Sequence, residues 1–145
     1  MNGDERGTPA LVVVLAAARS GSSLLRVILD AHPMIGCPGE VGLSALMARL
    51  AEAWSVVTAT EDANGLHREL PPSALAEVRR AVAALMRAYC RADAKPVFCD
   101  KSLESDQYVE MVCALFPDAR FLLLFRHVMA TVASGLEAST FGFGR

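Results

Sequence analysis

Three stretches of the chain hold residues with chemical reach. The first is Ala18–Pro33, ARSGSSLLRVILDAHP, behind the unbroken apolar run ALVVVLAA. Arg19, Ser20, Gly21, Ser22 and Ser23 stand where a strand should give way to a helix. A helix's first N–H groups lack intrahelical partners, and the helix dipole adds partial positive charge at that end. Such an end takes an anion, above all a phosphate. Gly21 lets the backbone approach closely, the serines offer hydroxyl donors, and Arg19 offers a planar fork suited to phosphate or sulfate oxygens. The alternative is a plain cap on a buried helix, with Arg19 in solvent. Neither GxxxxGK[ST] nor GxGxxG occurs, so any phosphate cradle here is of another make.

The second stretch is RFLLLFRHVMATVAS. Arg126 ends its strand and Ser134 follows eight residues on, in the next helix, so the pair can reach one phosphate together. The alternative is an interfacial Arg and a helix Ser bonded to its own backbone. The third group is split between CPGEVGL, with Glu40, and FCDKS, with Asp100 and Lys101. Glu40 reads either as a general base or as a first-turn acid complementing the next helix dipole. Lys101 reads either as a cation for a leaving group or as a surface lysine at a helix start. The dipole makes a helix start a poor place for a cation, which favours the first reading. His32 and His127 are the other candidate bases, and Asp100 reads as an orienting residue.

The elements that position these groups follow from hydrophobic pattern. LVVVLAA and RFLLLF are continuous rather than alternating, as in strands covered on both faces, and PVFCD is a short third strand. SSLLRVILDA reads as a helix. VGLSALMARLAEAW carries Leu43, Leu46, Met47, Leu50 and Trp54 at helical spacing. SALAEVRRAVAALMRAYCRADA carries Leu75, Val78, Val82, Leu85, Met86 and Tyr89, with Ser73 as its expected N-cap. SDQYVEMVCALF, capped by Ser105, and VMATVASGLEA complete the set, and TATEDANGLHRELPP is a loop. Strands each followed by a helix imply an α/β fold with a central parallel sheet flanked by helices in three layers. Ligands of such sheets bind at the carboxyl ends of the strands, where AARSGSS, CDKS and FRH fall.

The 145 residues are enough for one core, and a formal net charge of −2 gives no basic excess for general nucleic-acid binding. Cys37, Cys90, Cys99 and Cys113 form no CxxC pair and have no histidine at zinc spacing, so reduced, mostly buried thiols and no metal are expected. The leading apolar run is too short to span a bilayer, and the acidic start argues against a secretory signal. No membrane span and a cytoplasmic location are therefore the expectation.

RSGSSLLRVILDAHP, followed by Arg126 and Ser134 within LFPDARFLLLFRH and VASGLE, resembles the sulfotransferases that use 3′-phosphoadenosine 5′-phosphosulfate (PAPS). The branch in question includes tyrosylprotein sulfotransferases and related bacterial enzymes. The resemblance implies a P-loop-type fold over residues 10–145, with 1–9 a flexible tail. It implies that Arg19, Ser20, Gly21, Ser22 and Ser23 hold the 5′-phosphosulfate, and Arg126 and Ser134 the 3′-phosphate. It makes Glu40 the general base, with Arg19 and Lys101 at the leaving group, and needs no metal. Val128, Ala130 and Leu103 stand where relatives often carry Pro, Asp and Pro. Family members are longer, so the chain resembles an amino-terminal half, with an exposed sheet edge open to self-association. The implied activity is sulfuryl transfer to an acceptor hydroxyl; tyrosine peptide, sugar, lipid and polyketide-like hydroxyls stay open, and the lack of a secretory signal favours a small molecule or glycan. The alternatives are a catalytically incomplete phosphoadenosine-binding fragment and another phosphate-handling P-loop-like protein; the missing Walker lysine weakens the latter.

Overall fold

A computed structural model describes residues 7–58, 72–91 and 94–140. Four parallel strands form one sheet: β1 (Ala10–Ala16), β2 (Ile35–Gly36), β3 (Val97–Asp100) and β4 (Arg120–Leu124), in the order β2-β3-β1-β4. The helices are α1 (Ser22–Asp30), α2 (Leu43–Thr58), α3 (Pro72–Arg91), α4 (Val109–Leu115) and α5 (Val128–Thr140). A 3₁₀ turn, Ser105–Tyr108, leads into α4. The expected α/β class with a parallel sheet is thus present. The expected loop after α2 and the tail before residue 7 fall largely outside the described residues.

The period of two in β1 sorts its side chains onto two unequal faces. Leu11, Val13 and Leu15 enter the main core, with Leu43 and Met47 of α2, Val78, Val82 and Met86 of α3, and Val112 and Leu115 of α4. Val12, Val14 and Ala16 join a smaller cluster with Leu25 and Leu29 of α1, Ile35, Leu122 and the two thiols Cys37 and Cys99. The register sets Val13 beside Asp100 and Ala16 beside Leu124, so β1 runs three residues beyond β3 before its loop begins.

Several expectations need correction. RFLLLF is not covered on both faces: β4 is an edge strand among the described residues, Leu123 is exposed, and Phe125 beyond it is 83% exposed. A continuous apolar run cannot tell a central strand from an edge whose flank lies open. The buried stripe of α3 runs through Ala74, Val78, Val82, Met86 and Cys90, which leaves Leu85 and Tyr89 outside. Ser73 is not its N-cap, since the helix begins at Pro72, whose fixed φ and missing N–H suit a first turn. Ser105 does not cap α4 either; its hydroxyl bonds Asp100 instead. Of the cysteines, Cys37, Cys90 and Cys99 are buried free thiols and Cys113 is exposed. The hydrogen bond to Cys37, together with burial, pushes the Cys99 thiol up, which keeps it protonated and inert.

Candidate active site at the carboxyl edge of the sheet

The loop after β1 turns tightly. The Ser20 N–H donates to the Ala17 carbonyl at 3.2 Å, Arg19 takes φ 65° and Gly21 φ 99°. Gly21 precedes α1 in the left-handed region, and no side chain caps the helix. A Cβ at Gly21 would meet nothing within 4 Å, so open space lies over the turn. Left-handed backbone is uncommon for an arginine and is held here only because other groups fix it. One such group is Arg126, whose guanidinium donates to the Arg19 carbonyl at 2.8 Å. Arg19 Nε in turn donates to Ser134 Oγ at 3.3 Å. The residues assigned to two separate phosphates therefore meet across 107 and 115 positions of sequence.

Ser20 is buried, and its Oγ has no hydrogen-bond partner among the described residues. A buried hydroxyl without a partner costs free energy unless something supplies one. Ser22 is also buried, at the first position of α1, and Ser23 is exposed.

Glu40 and Lys101 form an ion pair. Lys101 is 2% exposed, which rules out a surface lysine, while half of the Glu40 side chain is open to solvent. Beside them Asp100, fully buried, accepts from four donors. These are the Ser44 N–H (3.2 Å), Ser44 Oγ (2.9 Å), Ser102 Oγ (2.7 Å) and Ser105 Oγ (3.4 Å). Ser44 lies in the first turn of α2, so Asp100 answers that helix's free N–H end from another strand. Ser102 Oγ also accepts the Gly42 N–H at 2.9 Å. The network fastens the start of α2, and the Glu40 segment before it, onto the end of β3.

A second clamp holds the same segment from the other side. Asp30 Oδ1 accepts the Cys37 N–H at 2.9 Å, and Arg26 donates to the Cys37 carbonyl at 3.3 Å. Lys95 Nζ donates to the Asp30 carbonyl at 2.7 Å and pairs with its carboxylate at 3.4 Å. The Cys37 N–H, and behind it Lys95, hold the Asp30 carboxyl below the usual carboxylate range. Sequence reasoning missed this clamp, although one signal was there. An acid on the last residue of a helix is unfavourable by the dipole, so it wants a specific partner.

The two histidines stand apart. The His32 ring accepts the Met34 N–H at 3.1 Å and orders a turn, and the His127 carbonyl accepts from Thr131. Neither lines the cavity of about 250 Å³ that opens beside Glu40, whose walls include Ser102, Leu103, Glu104, Ser105 and Tyr108. Among the described residues, no group of His, Cys, Asp and Glu is arranged to hold a metal ion, and no helix is long and apolar enough to cross a membrane.

The sheet order sets these parts in a row. Glu40 follows β2, Lys101 follows β3, Arg19 follows β1 and Arg126 follows β4, all at carboxyl ends of adjacent strands. The row places a carboxylate, a buried ammonium, an anion-ready turn and a second guanidinium along one edge.

Known proteins with similar sequences point the same way. The chain is 30% identical over 128 residues to protein-tyrosine sulfotransferase 1 of Mus musculus, covering 86% of this chain and 33% of that protein. It is 27% identical over 127 residues to a putative protein-tyrosine sulfotransferase of Caenorhabditis briggsae, covering 88% of this chain and 43% of that one. The chain thus spans less than half the length of these relatives. In fold it matches a sulfotransferase domain from the curacin biosynthetic pathway with a TM-score of 0.54 at 21% identity, over 94% of this chain and 55% of that one. The model of the sulfotransferase family matches residues 9–145, and with the turn, the edge row and these relatives in agreement, the chain belongs to that family.

Proposed function

We propose that the chain binds PAPS and transfers its sulfuryl group to an acceptor hydroxyl. The observation that carries this reading is the buried, unpartnered Ser20 hydroxyl in a left-handed turn at the start of α1, with Arg126 and Ser134 tied to the same turn. Ser20, Ser22, Ser23 and the N–H groups of that turn fit the 5′-phosphosulfate, and Arg126 and Ser134 fit the 3′-phosphate. PAPS supplies an activated sulfuryl group on a phosphate leaving group. Glu40 takes the acceptor hydroxyl's proton as that oxygen bonds sulfur. Lys101 and Arg19 meet the charge left on the 5′-phosphate as its S–O bond breaks. Until the donor is present, Lys101 is held by Glu40, so the pair keeps base and cation side by side without burying either charge alone.

The test is calorimetry with adenosine 3′,5′-bisphosphate and 5′-AMP, followed by transfer of labelled sulfate from PAPS. The bisphosphate should bind more tightly than 5′-AMP by about tenfold or more, the worth of a charged phosphate contact. Equal affinity would remove Arg126 and Ser134 from the donor site. Tight binding without transfer to any hydroxyl would leave a nucleotide-binding module.

A further inference from the structure

The cavity beside Glu40 has its own charge pattern. Its walls combine two carboxylates, Glu40 and Glu104, with Ser102, Ser105, the first turn of α2 and the apolar surfaces of Leu103 and Tyr108. No described residue that lines it is a lysine, arginine or histidine. The Glu40 charge is answered by Lys101 from behind. The Asp100 carboxylate is enclosed by its serine donors and turned away from ligands. Glu104 differs. It is exposed, and its side chain has no hydrogen-bond or ion-pair partner among the described residues. Among the described lining residues Glu104 is thus the carboxylate left without a partner, and it makes its side of the cavity acidic.

A volume of about 250 Å³ lies below the usual range for drug-sized ligands, so a body of one ring fills it. We propose that this cavity receives the acceptor, and that the acceptor is a small hydroxylated amine. Its hydroxyl meets Glu40, its ammonium group meets Glu104, and its carbon body lies against Leu103 and Tyr108. An aromatic ring and a free carboxylate are both good company for a cation. Anionic acceptors are disfavoured, because a second negative charge there faces Glu104 with nothing to offset it. The inference rests on the sulfuryl-transfer reading for the role of Glu40, but the charge preference itself is a binding property that can be read without the donor.

Three para-substituted phenols of similar size separate the outcomes: tyramine, 4-ethylphenol and 3-(4-hydroxyphenyl)propionate. Their binding to the full chain, with adenosine 3′,5′-bisphosphate present, is measured by ligand-observed NMR titration. Tyramine should bind about fivefold more tightly than 4-ethylphenol, the scale of one partly exposed ion pair, and the carboxylate should bind most weakly. Glu104→Gln should bring tyramine down to the level of 4-ethylphenol, and Glu104→Lys should put the carboxylate first. Because Glu104 is exposed, both variants should keep the wild-type fold, which circular dichroism checks. An order that survives Glu104→Gln, a carboxylate that binds as well as tyramine, or no binding by any of the three would overturn the proposal. The expected order without sulfuryl transfer would overturn the catalytic reading and uphold the cavity assignment.

Discussion

At the scale of single residues, Lys101 and Ser20 separate function from mere architecture. A lysine 2% exposed with one carboxylate partner is costly to keep, and a well-packed apolar side chain would serve stability as well or better. Lys101→Met should therefore fold with stability near wild type while transfer is lost, as chemical denaturation and a PAPS assay would show. Glu40→Gln keeps an oxygen for Lys101, so bisphosphate affinity should hold while turnover falls by roughly a hundredfold or more, the usual worth of a general base. Ser20 gives the sharper contrast. Its buried hydroxyl has no partner among the described residues, so Ser20→Ala should leave unfolding free energy unchanged or raised by up to about 1 kcal/mol. The same change should weaken bisphosphate binding by about fivefold, since a hydrogen bond to a charged group is lost. A serine placed there for stability would give the opposite pair of results. Arg126→Ala should weaken the bisphosphate by roughly tenfold or more. It should also weaken 5′-AMP, because Arg126 holds the left-handed Arg19 through its carbonyl.

At the scale of elements, two carboxylates act as fasteners. Asp100→Ala would remove the acceptor shared by four donors, three of them buried serine hydroxyls, at the joint between β3 and α2, and would leave Ser44 Oγ only its 3.4 Å contact with Ser105 Oγ. Buried groups left unpaired cost about 1–3 kcal/mol each, so a loss of at least about 3 kcal/mol in denaturant unfolding is expected. Asp30 fastens α1 to the Glu40 segment and titrates. Its carboxyl is lowered in the fold by the Cys37 N–H and then by Lys95. The stability it contributes is full above the unfolded value near pH 4 and is lost as pH falls through the folded value. Thermal unfolding followed from pH 6 down to pH 2 should show that loss, and Asp30→Asn should flatten it. A variant as steep as wild type would place the acid sensitivity elsewhere. Much of this scale was legible beforehand. β1, β3, β4 and the helices are where apolar pattern puts them. β2 escaped notice because a strand of two residues carries no periodic signal. Ser105 was misread because a serine before a helix looks like a cap whether its hydroxyl points to the helix or to an aspartate across the fold.

At the scale of the whole molecule, apolar surface is unevenly spread. Leu24, Val27 and Ile28 of α1, Phe125 after β4, and Val128, Met129, Val132 and Leu136 of α5 are all exposed. The polar groups of β4's outer edge are also unpaired among the described strands. Patches and edges of this kind promote association. The chain should therefore show a concentration-dependent mass above 15.5 kDa in sedimentation, lowered by a Phe125→Ser, Val132→Glu double change. A strictly monomeric wild-type chain would show that the patch is too weak to drive association.

The sequence by itself determined the α/β class, the anion-ready turn at α1 and the identity of the charged residues, because these depend on local pattern and on backbone groups that any helix start exposes. It could not determine who meets whom. In sequence the key groups run Arg19, Glu40, Lys101, Arg126; along the sheet edge they run Glu40, Lys101, Arg19, Arg126. That reordering, the Glu40–Lys101 pair, the enclosure of Asp100 and the tie from Arg126 to the Arg19 carbonyl all arise from which strands become neighbours. Strand order is fixed by long-range packing of two hydrophobic faces, and no local pattern carries it.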